Sequence, residues 1–312
     1  MKAILVGAAA PLVGKTTVAV GLAQLLSQAG RSSRLVRMEG DEGAAADARL
    51  FSSLGGLEEP LTAAEAARRR AADDLLIAEA PAGPCLDALS TLDAGLILVA
   101  RPQGLREGPQ AWAGGYAEDV LAMAREAKGH LLGVVVTAVA AATLKELEAA
   151  LTPKPLALLP EDRLLAAPTL HEATAALEAQ SIVGNGSLAM ALPRLMVASI
   201  ASDPAFPYFN RYEGKAVIAR CDKPDLLLAA ITAGAQCLIV TGGRPPLSYV
   251  IARAEEEGIP LLLVRQDTVS TAKILEALYK RARLAGPQKI ARAQDILQEC
   301  ADLAALRKAL GP

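Results

Sequence analysis

The sequence predicts two α/β domains: a parallel sheet with helices on both faces, followed by a smaller α/β domain. Short apolar runs of the length of buried strands alternate with helical patterns along both halves of the chain. The chain has 312 residues, of which 52% are hydrophobic and 21% are charged, so it can build two globular cores.

The composition also excludes several functional classes. The net charge is −2 and there is no polybasic run, which argues against a nucleic-acid or membrane surface. Aromatic residues make up only 3%, too few for stacking on single-stranded nucleic acid. The four cysteines form no Cys-x-x-Cys pair, and neither a signal peptide nor a membrane-spanning segment is predicted. We therefore expect a cytoplasmic protein.

The first half alternates between strand and helix patterns. The predicted strands are residues 3–6, 33–38, 74–79, 94–100, 131–136 and 156–159. The predicted helices are residues 18–26, 63–72, 116–127, 144–151 and 170–177. Because parallel strands need crossover connections, this alternation predicts one parallel sheet.

The first strand runs through a small-residue loop into a Gly-Lys-Thr motif and then a helix, the context that a P-loop requires. Backbone N–H groups and the helix dipole favour an anion there, while the lysine supplies charge and the first threonine can ligate Mg²⁺. The predicted phosphate-binding residues are Val13, Gly14, Lys15, Thr16 and Thr17. The usual pattern has glycine where Ala9 stands. A strand-to-helix turn with an incidental lysine, or a loop that no longer binds, therefore remains an alternative.

Two acidic residues are candidate magnesium ligands beside Thr16. Asp41 follows the second strand, and Glu79 is predicted to end the third, where carboxyl-terminal loops gather over a ligand. Glu39 is a second choice in the acidic loop. Each carboxylate could instead belong to a solvated turn or strand end.

These segments, together with the stretch Pro-Glu-Asp-Arg-Leu-Leu-Ala-Ala-Pro at residues 160–168, resemble the dethiobiotin synthetase and cobyrinic acid a,c-diamide synthase group. The resemblance covers about residues 1–180 and is greatest to the P-loop domain at the N-terminus of long phosphotransacetylases. It implies a P-loop NTPase-like fold that binds ATP or ADP with Mg²⁺.

The sequence departs from that of dethiobiotin synthetases in three places. Arg37-Met38 stands where that family has Lys-Pro, Ala80 to Gly83 changes its glycine-rich sequence, and Thr137 replaces an adenine-reading asparagine. The resemblance therefore supports binding of a phosphate chain more than adenine specificity or the synthetase reaction.

The second half repeats the α/β pattern. Strands are predicted at residues 215–220, 237–240 and 260–264, and helices at 226–232, 248–257, 268–278 and within 290–310. Residues 181–187 are predicted to be a loop or domain junction, and the aromatic stretch 204–212 a loop that fills a core.

Residues 181–285 resemble the DRTGG domain, which follows the P-loop domain in phosphotransacetylases and occurs in nucleotide-sensing pyrophosphatases. Cys221 to Asp225 stands where that family commonly has Gly-Asp-Arg, and a Thr-Gly-Gly follows at 241–243. The resemblance implies a module used for regulation and dimer contacts. The predicted domains are thus 1–180 and 181–285, with C-terminal helices over 286–312.

A second ligand site is a hypothesis at Asp222, Thr241, Gly242 and Gly243. Thr-Gly-Gly between a strand and a helix is typical of an anion-binding nest, or of a tight turn. Asp222 could bind a ribose or cap the next helix, and capping is the preferred interpretation.

No catalytic constellation stands out in the sequence, so whether the protein is an enzyme stays open. The favoured hypothesis is a nucleotide-binding regulatory or sensor protein, homodimeric, with a possible acyltransferase or other metabolic enzyme as partner. The alternatives are an ATP-dependent ligase or synthetase of the dethiobiotin or cobyrinic acid type, and a structural module that binds nothing.

Overall fold

A computed structural model describes residues 2–69, 75–102, 108–127, 129–184, 186–198, 205–279 and 281–310. Residues 70–72 of a predicted helix, residue 74 of a predicted strand, and Asn185 lie outside the described residues. The chain forms two compact units, residues 1–162 with 290–312, and residues 163–289.

The first unit is a six-stranded parallel sheet in the order β2-β3-β1-β4-β5-β6. Its strands are β1 Ala3–Ala8, β2 Ser33–Arg37, β3 Leu75–Ala82, β4 Ala94–Ala100, β5 Leu131–Val139 and β6 Ala157–Pro160. Every residue of β1 is buried, as expected where helices cover both faces of a parallel sheet. The mixed α/β fold predicted from the sequence is confirmed.

Helices pack on this sheet as α1 Lys15–Gln28, α2 Ala44–Ser53, α3 Ala63–Arg69, α4 Leu86–Leu92, α5 Pro109–Glu126 and α6 Leu144–Ala150. The C-terminal helices α12 Pro287–Cys300 and α13 Leu303–Leu310 complete the unit. Helix α12 lies so close to α1 that a Cβ on Gly21 would be 2.8 Å from the Leu297 Cβ. This close packing explains a glycine inside a helix.

The second unit is a five-stranded sheet in the order β7-β11-β10-β9-β8. The strands are β7 Gln180–Val183, β8 Arg194–Val197, β9 Lys215–Arg220, β10 Cys237–Thr241 and β11 Leu261–Leu263. All pairs are parallel except β7 with β11. The helices are α7 Leu170–Ala176, α8 Ala205–Phe209, α9 Pro224–Thr232, α10 Ser248–Glu256 and α11 Thr268–Tyr279.

Several local predictions differ from the structure. Residues 180–183 form an antiparallel edge strand rather than a junction loop, and β8 and α2 were not predicted at all. The aromatic stretch contains the short helix α8, whose Phe209 is fully buried in the core. Helix α7 packs through Leu170 and Ala173 on the second sheet, so residues 163–180 belong to the second compact unit rather than the first.

Among the helices of the described residues, none combines the length and the apolar character that crossing a bilayer would need.

Candidate nucleotide site in the first unit

The loop between β1 and α1 has the backbone that a phosphate cradle needs. Gly14 has φ 93° and Leu12 has φ 57°, both in the left-handed region. Ala9, at the position of the missing glycine, is not among the described residues with positive φ, so its side chain causes no backbone strain. The Val18 N–H donates to the Gly14 carbonyl at 3.1 Å and begins the helix. The earlier N–H groups have no acceptor within a helix and can face an anion.

Glu79 interacts with two residues of the first helical turn. The Thr16 hydroxyl donates to Glu79 Oε1 at 3.2 Å. The Lys15 side chain is buried, and burial lowers the pKa of its amine while the charge of Glu79 raises it. The structure therefore brings Lys15, Thr16 and Glu79 together, as a phosphate and magnesium site requires.

Glu79 lies inside β3 and not at its end, because the strand continues to Ala82 beside β1. In the sheet it is paired with Arg37 of β2 on one side and Val6 of β1 on the other. This central position buries the carboxyl group fully, and its Oε2 atom has no hydrogen-bond partner among the described residues. A buried acceptor without a donor is costly unless a ligand supplies one.

Arg37 is the centre of a buried charge cluster. Only 1% of the residue is exposed. Its Nη2 lies 2.5 Å from Asp41 Oδ2, and its Nε lies 3.4 Å from Asp47 Oδ2 and 3.8 Å from Glu79 Oε1. Its Nη1 donates to the backbone carbonyls of Met38 and Glu79. The guanidinium thus holds three carboxylates in place, including both predicted magnesium ligands.

The cluster contains two cations, Lys15 and Arg37, and three carboxyl groups. Burial, the largest influence, and the charge of Asp47 raise the pKa of Glu79, whereas Arg37, Lys15 and the Thr16 hydroxyl lower it, and the net pKa is about 7. Ionisation of all three carboxyls leaves one excess negative charge, which a divalent cation could neutralise.

Thr137 supports the loop. Its hydroxyl, buried in β5, donates to the Val13 carbonyl at 2.5 Å and lies 3.3 Å from the Ala100 carbonyl. A Cβ added to Gly14 would lie 3.5 Å from the Thr137 methyl group. The residue that replaces the adenine-reading asparagine of the resembling family therefore anchors the loop backbone.

The remaining predicted residues contribute less. The Val13 side chain is buried and Thr17 is half-buried in the helix. Glu39 is exposed, and its backbone N–H donates to the Leu61 carbonyl. The described residues contain no group of three His, Cys, Asp or Glu side chains arranged around one point for a metal ion.

Sequence reasoning missed the roles of Arg37 and Asp47. Asp47 lies in α2 on the same face as the buried residues Ala44, Ala48 and Phe51. An acidic residue on the apolar face of a helix is a usable signal, since an unpaired charge is almost never buried. It was overlooked because α2 itself was not predicted.

The second predicted site has a different geometry from the expected nest. Gly242 and Gly243 have φ 97° and 68°, but their N–H groups donate to the Gln266 and Val264 carbonyls. The Thr241 hydroxyl donates to the Ala219 carbonyl at 3.4 Å. The two glycine N–H groups therefore hold the β10 and β11 loops together and do not form an anion nest.

Asp222 does not cap α9, which begins after Lys223 without a side-chain hydrogen bond. Its carboxylate instead accepts two bonds from Arg220, at 2.9 Å and 2.6 Å, and Arg220 lowers its pKa. Both side chains are exposed. The Asp222 carboxylate therefore pairs with the Arg220 guanidinium instead of capping α9.

Comparison with known families identifies a DRTGG domain over residues 172–278, which lie within the second unit. This confirms the domain type predicted for the second half of the chain.

Solved structures similar to the chain include the CBS and DRTGG domains of the regulatory region of Clostridium perfringens pyrophosphatase, crystallised with the activator diadenosine tetraphosphate. That structure shares 18% identity over 55% of this chain and 74% of its own, with a TM-score of 0.34. MinD, a cell division protein of Aquifex aeolicus, shares 15% identity over 53% of this chain and 84% of its own, with a TM-score of 0.37. A chain of the MinC:MinD cell division protein complex of Aquifex aeolicus shares 16% identity over 53% of this chain and 83% of its own, with a TM-score of 0.36.

Proposed function

We propose that the chain is a nucleotide-binding regulatory protein that holds ATP or ADP, with Mg²⁺, at the loop between β1 and α1. The observation that carries this proposal is that the Thr16 hydroxyl donates to Glu79 at the start of α1, where Lys15 is buried and its amine interacts electrostatically with the same carboxylate. The helix N-terminus offers donors to phosphate, the lysine adds a point charge, and the threonine hydroxyl adds a hard oxygen ligand.

The environment of Arg37 favours binding without turnover over the synthetase alternative. Dethiobiotin synthetases have a lysine here near the chemistry, whereas this arginine is buried and engaged by Asp41, Asp47 and Glu79. A cation held by three carboxylates has little freedom to follow a reacting group. We therefore propose a sensor rather than an ATP-dependent ligase.

The DRTGG domain supports the regulatory half of the proposal. The resemblance implies regulation and dimer contacts, so we propose a homodimer that acts on a metabolic enzyme such as an acyltransferase. Light scattering with and without nucleotide tests the dimer. A mass of one 32.2 kDa chain under both conditions would contradict it.

Calorimetric titration tests nucleotide binding. Mg-ATP and Mg-ADP are titrated into the wild type, into Lys15→Ala, and into Lys145→Ala, a matched control at an exposed lysine of α6. We expect heat from the wild type and the control and a large loss of affinity in Lys15→Ala. Ligand at about 100 times Kd should add about 2.7 kcal/mol to the unfolding free energy.

The titration has two informative failures. No heat and no thermal shift with either nucleotide would contradict the proposal. Phosphate release that depends on an added carboxylic acid would favour the synthetase instead. Repeating the titration in EDTA tests the magnesium requirement separately.

A further inference from the structure

The second unit contains a cavity of about 350 Å³ beside the edge strand β8. Besides apolar side chains of β8, its wall includes three tyrosines, two arginines and one glutamate: Tyr208, Tyr212, Tyr279, Arg163, Arg194 and Glu276. The whole chain has only five tyrosines. Three of them on one wall, in a chain with 3% aromatic residues, is a local concentration of flat apolar surface.

The tyrosine rings are held in place by the fold. The Tyr279 hydroxyl donates to the Leu192 carbonyl at 2.5 Å. The Tyr208 ring meets the ring of Phe209 edge-on at 5.4 Å, and Phe209 is fully buried. Rings that are already ordered lose little conformational entropy when a ligand stacks on them.

The charged groups of the wall favour an anion. The Arg194 guanidinium lies 4.4 Å from the centre of the Tyr212 ring, in cation–π geometry that orients it. Arg163 adds a second guanidinium, and among the described residues of the wall Glu276 is the single acidic side chain. Guanidinium groups bind phosphate through paired N–H donors, and a carboxylate accepts hydrogen bonds from amino groups.

We propose that this cavity binds a nucleoside monophosphate with an amino-bearing base. The base stacks on the tyrosines, the phosphate binds Arg194 and Arg163, and Glu276 accepts from the exocyclic amine. The volume of about 350 Å³ lies at the small end of ligand sites, which span about 300–1,000 Å³. This site uses residues of the second unit alone and is independent of nucleotide binding near Lys15.

Fluorine NMR of the full chain labelled with 3-fluorotyrosine tests the proposal. AMP is added up to about 10 mM, ten times the Kd of a millimolar site. We expect saturable shifts of the Tyr208, Tyr212 and Tyr279 signals. The signals of Tyr116 and Tyr249, which do not line the cavity, are internal controls.

Variants and partial ligands locate the contacts. Arg194→Gln should weaken AMP binding about tenfold or more, since it removes a charge-assisted bond. Arg253→Gln, an exposed arginine of α10, should bind as the wild type does. Lys15→Ala should leave the shifts unchanged, which separates this site from the first unit. Adenosine and inorganic phosphate should each bind more weakly than AMP.

Three results would overturn the inference. These are unmoved cavity signals at the highest AMP concentration, equal affinity of Arg194→Gln and wild type, and loss of the shifts in Lys15→Ala. Tyr212→Leu is a second variant in case Arg194→Gln misfolds, because its side chain is 46% exposed and its loss spares the core. Tyr212→Leu should also weaken AMP binding, measured from the fluorine signals of Tyr208 and Tyr279. Unchanged affinity for AMP in this variant would count against the site.

Discussion

Replacing Glu79 by glutamine should make the protein more stable, and the gain should grow with pH. The carboxyl group is buried beside Asp47, and its pKa is raised from 4.5 to about 7 in the folded state. The folded protein therefore binds this proton more tightly than the unfolded chain does. The stability contributed by Glu79 is fully present below pH 4.5 and is lost as the pH rises through 7. Glutamine has no such dependence.

The size of the effect follows from the two pKa values. Each pKa unit by which the folded and unfolded states differ corresponds to about 1.36 kcal/mol of unfolding free energy at a pH where Glu79 is ionised in both states. Between pH 5 and pH 8 the wild type should lose about 2.5 kcal/mol of unfolding free energy relative to Glu79→Gln. A stabilising substitution at a buried carboxyl group would indicate that the acid is kept for ligand binding rather than for folding.

Urea unfolding of both proteins at pH 5 and pH 8 measures the difference. Glu148→Gln, at an exposed glutamate of α6, is the control. Its unfolding free energy should differ from that of the wild type by the same amount at both pH values. A pH-independent difference for Glu79→Gln, or a wild type that gains relative stability at pH 8, would refute the reasoning.

Three further substitutions test the packing around the site by urea unfolding. Arg37→Met should destabilise the chain by about 3–5 kcal/mol, because it leaves the buried carboxyl groups of Asp47 and Glu79 without this cation, and a loss below 1 kcal/mol would contradict the cluster. Thr137→Val should cost about 1–2 kcal/mol through the loop carbonyl it leaves without a donor, and unchanged stability would show that the bond is dispensable. Gly21→Ala should cost about 1–3 kcal/mol through contact with Leu297, whereas Gly114→Ala, in open space on α5, should be neutral or stabilising. Equal effects at the two glycines would argue against close packing of α1 and α12.

The parts of the fold that follow local rules were predictable from the sequence. Strands β1, β3 and β4 are short apolar runs between helices, and the Gly-Lys-Thr motif lies at the strand-to-helix turn that its residues require. Asp267 directly precedes α11, and its carboxylate accepts from the N–H groups of Val269 and Ser270, the bonding that an aspartate at a helix start favours. Periodicity and capping carry this information because each involves neighbours in the chain.

The charge cluster was not predictable because it depends on which strands are neighbours. Arg37 and Glu79 are distant in sequence and meet only since β2 lies beside β3 in the sheet. Asp47 joins them from α2, and because that helix was not predicted, the position of Asp47 on its buried face could not be used. The sequence therefore showed only that Arg37 stands where the resembling family has lysine, and it did not indicate a charge cluster.

The same limit applies to the Thr-Gly-Gly motif of the second unit. The sequence predicted that the backbone N–H groups of its two glycines are free to bind an anion. In the structure, the Gly242 and Gly243 N–H groups donate to carbonyls of the loop after β11. Strand β7 was missed because an antiparallel edge strand is defined by its partner rather than by its own four residues. Non-local hydrogen bonds decided both cases.

The central claim is that the loop before α1 holds a nucleotide phosphate chain. A crystal structure of the protein with Mg²⁺ and a non-hydrolysable ATP analogue tests it most directly. We predict phosphate density against the N–H groups of Gly14, Lys15 and Thr16, with Mg²⁺ on the Thr16 hydroxyl. Analogue bound elsewhere, with the loop empty and Lys15 still buried beside Glu79, would contradict the claim.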